Sequence, residues 1–198
     1  MQTTQLSADQ LLDTLRRVVR LEPAVFKEIR DARALTGVIT CALAIAVVIA
    51  GFGAYMYGQT VLDFGGFSFV NTALLGSLFT FLLFLAGFGV TYIVLTQLFT
   101  IDIAPDALFR VLAVGHLPYA LGLLVLIPQL GFVFGLLSIL AVFYWSLFGL
   151  KAALPAASEL RLAAAVIAGM ALWIAIIPFI SGPDNEFVTG VFVYGLIA

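Results

Sequence analysis

The chain has 198 residues, 63% of them hydrophobic and only 10% charged, with a formal net charge of −2 and a mean hydropathy of +1.18. Ordinary soluble domains carry about 25% charged residues, so this composition cannot clothe a water-facing surface and calls for a lipid-facing one. The balanced charge carries no basic stripe and no acidic tail, which argues against a nucleic-acid partner, and the length suits one domain.

Residues 1–34 hold eleven charged side chains. A cleavable signal peptide would need an uninterrupted apolar stretch there, so the first apolar span is expected to act as its own insertion signal. The segment is amphipathic. At helical spacing Leu11, Leu12, Leu15, Val18, Val19, Val25, Phe26 and Ile29 share one face, while Arg16, Arg20, Lys27 and Arg30 cluster opposite. Ser7 with Gln10 makes a capping-box start, and Pro23 suits a first-turn position, dividing the segment into two helices. A helix of this kind lies in the membrane interface with its apolar face down. Two uses remain open: an anchor that helps set topology, or a docking surface for a partner. Arg16, Arg20, Lys27, Arg30 and Phe26 are the candidate membrane-surface or partner contacts.

A hydrocarbon core of ~30 Å needs about 20 apolar residues in a helix. Five segments qualify: residues 35–58, 72–99, 107–127, 132–154 and 160–180. The second would reach ~42 Å at ~1.5 Å per residue, so it is expected to tilt or protrude. Pro128-Gln129-Leu130-Gly131 separates the third from the fourth, and proline with glycine there predicts a tight antiparallel hairpin. Ser158 is a plausible N-cap for the fifth. The expected fold is therefore an all-α integral membrane protein, a bundle of five transmembrane helices with an N-terminal amphipathic interfacial helix. Residues 181–198 begin with a polar turn and end in a short apolar stretch, expected to lie along the far interface.

Lys and Arg set the orientation. Six of the nine precede span one, and Arg110, Lys151 and Arg161 lie beside the loops after spans two and four. With the N-terminus inside, all nine face the cytoplasm. The expectation is a multi-pass protein of the cell inner (cytoplasmic) membrane, with its C-terminus outside.

Few residues could carry chemistry. His116, the only histidine, sits nearly two turns into span three, beside Gly115, Pro118 and Tyr119. Ionisable residues at that depth usually face the bundle interior. Pro118 frees the carbonyl of Val114, which needs a donor; a neutral imidazole satisfying backbone or a neighbouring hydroxyl is one reading, and a proton relay, a ligand contact and axial ligation of a tetrapyrrole remain alternatives. Asp106 reads as a first-turn acid paired with Arg110 at i, i+4. His116, Pro118, Tyr119, Arg110 and Asp106 are thus the candidate interior polar or structural residues. The lone Cys41 reads as a small core or lipid-facing residue. The four-residue spacings of Gly131 with Gly135 and Ala165 with Gly169 permit close helix contact. No nucleotide, zinc, redox or acyl-transfer motif stands in a usable context, and neither catalytic residues, metal nor cofactor is expected.

Three stretches resemble the Yip-one domain family, the Ypt/Rab-interacting membrane proteins, in a prokaryotic-type member. Residues 18–30 contain Pro23-Ala24-Val25-Phe26 and Ile29, similar to the family's pre-membrane proline–phenylalanine–isoleucine run with one residue fewer. Residues 109–119 match its glycine–aromatic–proline region loosely, with His116 where tyrosine is usual. The third is Ile127-Pro128-Gln129-Leu130-Gly131 with Tyr144-Trp145 and Leu150-Lys151-Ala152-Ala153. The resemblance implies a non-enzymatic membrane scaffold or protein-interaction protein, working on the lipid bilayer with a membrane-protein partner or with itself. The alternatives are an accessory subunit of a larger membrane complex and, behind it, a small transporter or channel, which would want repeated halves or a polar lumen.

Overall fold

A computed structural model describes residues 8–60 and 68–180 of the chain, and all regular structure among them is helical. Helices α1 (Ala8–Val19) and α2 (Pro23–Asp31) form the N-terminal arm. Helix α3 (Thr36–Thr60) follows a short 3₁₀ turn. Helix α4 (Gly76–Ile93) continues at both ends into wider π-helical turns, Val70–Leu75 and Val94–Leu98. Helix α5 (Pro105–Gly115) runs into a ten-residue 3₁₀ leg, Leu117–Leu126. Helices α6 (Gly131–Ala153) and α7 (Glu159–Ile180) complete the bundle.

Among the described residues, four stretches are long and apolar enough to cross a membrane: Arg33–Thr60, Val70–Leu98, Pro105–Leu126 and Gly131–Ala153. They match the first four expected spans, with ends shifted by a few residues. The fifth expected span, 160–180, falls on the helix α7, which packs along α4. The expected tail at 181–198, the Ser7 cap and the middle of the loop before α4 lie outside the described residues.

The third span departs most from a regular helix. Pro118 has no N–H to give and cannot extend the α-helical ladder. The chain answers with the tighter 3₁₀ winding, which rises ~2.0 Å per residue instead of ~1.5 Å. The turn Pro128–Leu130 then reverses it into α6, giving the antiparallel hairpin. The α4–α7 seam is built on small residues. A Cβ placed on Gly169 would lie 2.6 Å from the Gly87 carbonyl oxygen and 2.3 Å from Thr91 Oγ1. The two backbones touch there, and Ala165, one turn away, is fully buried.

The N-terminal arm corrects an expectation. Pro23 does divide it, at the first turn of α2, and Leu21 makes the corner in the left-handed region at φ 54°. But the apolar face of α2 is not left free. Val25, Phe26 and Ile29 are buried against α5 and α6. Phe26, expected as a surface contact, is 0% exposed and packs edge-on against Phe148 at 5.7 Å. It fits because position 149 is glycine: a Cβ there would meet Phe26 Cδ1 at 2.9 Å. The apolar row found its burial in protein, not in lipid. Helix α1 differs. Val18 points inward, while Leu12, Leu15 and Val19 stay exposed.

Candidate functional site

The polar residues gather in two places. The first is the basic end of the bundle, where the arm meets α5 and α6. Arg110, in the second turn of α5, is 2% exposed. Its Nε donates to the Ile29 carbonyl at 2.9 Å, Nη1 to Thr36 Oγ1 at 3.0 Å and to Asp106 Oδ2 at 3.0 Å, and Nη2 to the Arg30 carbonyl. Ile29 and Arg30 belong to the last turn of α2, whose carbonyls have no partner inside their own helix. A cation there also meets the negative end of the helix dipole. A guanidinium carries five N–H donors in one rigid fork, and Arg110 uses it as a staple between α5, α2 and α3.

Arg30 repeats the device. Its Nη1 donates to the carbonyl of Ala153, the last residue of α6, and its Nε and Nη2 grip Asp31 at 2.7 and 2.9 Å. The Arg30 guanidinium holds the Asp31 carboxyl below the usual carboxylate range. Arg30 was expected on a membrane or partner surface; its guanidinium is instead spent within the chain. The α1–α2 corner is clamped by Arg17, which reaches Glu22 at 3.0 Å and both oxygens of Glu28 at 2.8 Å. That fork pushes the Glu28 carboxyl down and the Arg17 guanidinium up. Of the expected surface contacts, Arg16, Arg20 and Lys27 remain exposed.

Beside the staple lies a hollow of about 410 Å³, whose lining includes Arg30, Thr100, Asp102, Ser158 and Arg161. Arg161 sits over the Phe99 ring at 5.9 Å. Sequence reasoning missed this hollow, because it joins the loop after span two to the loop before α7.

The second place is mid-bundle. His116 closes α5, with Nδ1 2.8 Å from the Leu112 carbonyl. Backbone or a neighbouring hydroxyl was the expected partner; at the end of α5 the imidazole takes the carbonyl four residues back. The ring meets Phe84 edge-on at 4.7 Å. Pro118 and Tyr119 are buried beside it, and Tyr119 stands edge-on to Trp173 at 5.9 Å. Asp106 pairs with Arg110 as expected and also faces Arg33 at 3.4 Å. Arg110 and Asp106 thus share the basic end, while His116, Pro118 and Tyr119 form a separate group. The exposed Cys41 belongs to neither.

No protein-family model, curated protein or solved structure matches the chain.

Proposed function

We propose that this protein is a non-enzymatic membrane scaffold or interaction protein of the Yip-one type, working in the cytoplasmic membrane with a second copy or another membrane protein. One observation carries the reading. The basic end locks α2 through Arg110 and Arg30, yet leaves α1 with Leu12, Leu15, Val19, Arg16 and Arg20 facing outward. A rigidly mounted helix with both apolar and basic groups unspent suits recognition of a lipid headgroup layer and a partner on it.

In this reading α7 is the fifth span. Its 22 residues reach about 33 Å, enough for the hydrocarbon core. Five spans also leave all nine Lys and Arg on one side, which puts the N-terminus in the cytoplasm and the C-terminus outside.

The test is native mass in mild detergent. The wild type should run as an assembly heavier than one 21.2 kDa chain. Arg16→Glu with Arg20→Glu should return it to a single chain. A wild type that stays a single chain at every concentration contradicts self-association. A fixed complex with a different protein would make it an accessory subunit.

A further inference from the structure

We propose that His116 marks an intramembrane binding site for the hydroxyl head of a lipophilic alcohol. The proposal is independent of the scaffold reading and begins with the proton on the imidazole. The Leu112 carbonyl, 2.8 Å from Nδ1, can only accept, so Nδ1 carries the hydrogen. In the neutral ring Nε2 is then a bare acceptor. It has no hydrogen-bond partner among the described residues. Nor is it sealed in: among these residues the unpartnered, fully enclosed side-chain atom is Ser146 Oγ. Nε2 therefore opens on free space, and His116 lines a partly open cavity of about 40 Å³ between the spans.

The walls select the guest. They are largely aliphatic and aromatic, with Phe84, Phe88, Tyr119 and Trp173 among them. The two threonines of the lining have spent their protons: Thr80 Oγ1 donates to Gly76 and Thr91 Oγ1 to Gly87, each at 2.9 Å. Trp173 adds an N–H, which donates and cannot accept. Tyr119 is hydrogen-bonded to Thr80. The threonine oxygens keep lone pairs, but the basic acceptor left without a donor is Nε2, and it wants an O–H or N–H. A charged donor is opposed by the apolar walls.

Size decides between water and a larger molecule. The cavity exceeds the ~10–15 Å³ that one water needs, but a stable buried water also wants 2–4 polar partners. Water would find them in Nε2, the threonine oxygens and the Trp173 N–H, but it leaves the apolar walls uncovered. A primary alcohol needs only the one acceptor for its proton, and its chain gains by covering apolar wall. At about 40 Å³ the site admits a hydroxyl and its first carbons, well short of the ~150 Å³ cavity known to hold benzene. The rest of the chain leaves through the open side.

Because His116 is the only histidine, the wild type reports on itself. Protein labelled with ¹⁵N-histidine would be placed in phosphatidylcholine nanodiscs and titrated with 1-dodecanol, then separately with dodecyl methyl ether. The Nε2 resonance should begin as an unprotonated nitrogen and move saturably with the alcohol. The ether, which has the chain but no proton to donate, should leave it in place. Ile139→Phe fills the cavity from its wall and should abolish the alcohol shift while the Nδ1–H signal persists. A protonated Nε2 at the start, an equal response to the ether, or no saturable shift in the wild type would each overturn the proposal.

Discussion

The basic end and the middle of the bundle treat polar groups in opposite ways. At the basic end, donors reach across to carbonyls of other helices: Arg110 to Ile29 and Arg30, and Arg30 to Ala153. In the middle, hydroxyls mostly turn back on their own helix. Thr80 and Thr91 each donate to the carbonyl four residues earlier, at 2.9 Å. The one bond Thr91 makes across to α7, onto Ala165, is longer at 3.3 Å. Long charged side chains can bridge helices near water, where a guanidinium is cheap to hydrate before folding. Deep in lipid a hydroxyl satisfies itself locally and adds little cohesion. The middle is therefore held by close backbone contact, such as Gly87 on Gly169, and the arm is held by charge.

That contrast predicts different costs for different lesions. The largest belongs to Arg110→Met, which keeps bulk but leaves two helix-end carbonyls without their donor. Each buried acceptor left unpaired typically costs about 1–3 kcal/mol. Thermal unfolding in detergent should fall accordingly, and trypsin should cut faster at Lys27. Arg110→Lys should recover only part of the loss, since an ammonium cannot copy the fork. Next comes Gly169→Ala. The added methyl meets a carbonyl oxygen that cannot move aside, and overpacking of this kind costs about 1–3 kcal/mol. Its thermal shift should appear with the arm still protected from trypsin; a parallel loss of both would mean that the two regions are not separate.

Much of this architecture was legible in the sequence. Apolar length located the helices, Pro23 marked the break in the arm, and the i, i+4 spacing of Asp106 and Arg110 announced their ion pair. What was not legible has a physical reason. Helical periodicity shows that Phe26 and Ile29 share an apolar face, but lipid and a protein groove satisfy that face equally well. The decision rests on Gly149, more than a hundred residues away, where a missing side chain makes room. Likewise Pro118 announces an interruption in span three, yet nothing local says that the chain will wind as 3₁₀ for ten residues. The carbonyls taken by Arg110 carry no sequence signal at all, since every residue has one.

A smaller effect is expected from acid. Arg17 and Arg30 depress the carboxyls of Glu28 and Asp31 in the folded protein. A depressed carboxyl contributes stability above its unfolded value, about 4, and loses that contribution as pH falls through the folded one. Both pairs are largely exposed, so each contributes little and salt weakens it. Lowering the pH from 6 to 3 should speed cleavage of the α1–α2 corner by an acid-active protease more than protease activity itself accounts for. Glu28→Gln should blunt that pH dependence. Unchanged pH dependence in this variant would remove the Arg17 clamp from the account.

The central claim is that the N-terminal arm is part of the bundle through α2, and not a helix resting on lipid. Hydrogen exchange of the full chain in nanodiscs addresses it peptide by peptide. Amides of α2 should be protected as strongly as those of α3, α1 should exchange faster, and Arg110→Met should bring α2 toward the rate of α1. A wild-type α2 that exchanges as fast as α1, or an α2 indifferent to Arg110→Met, would contradict the account.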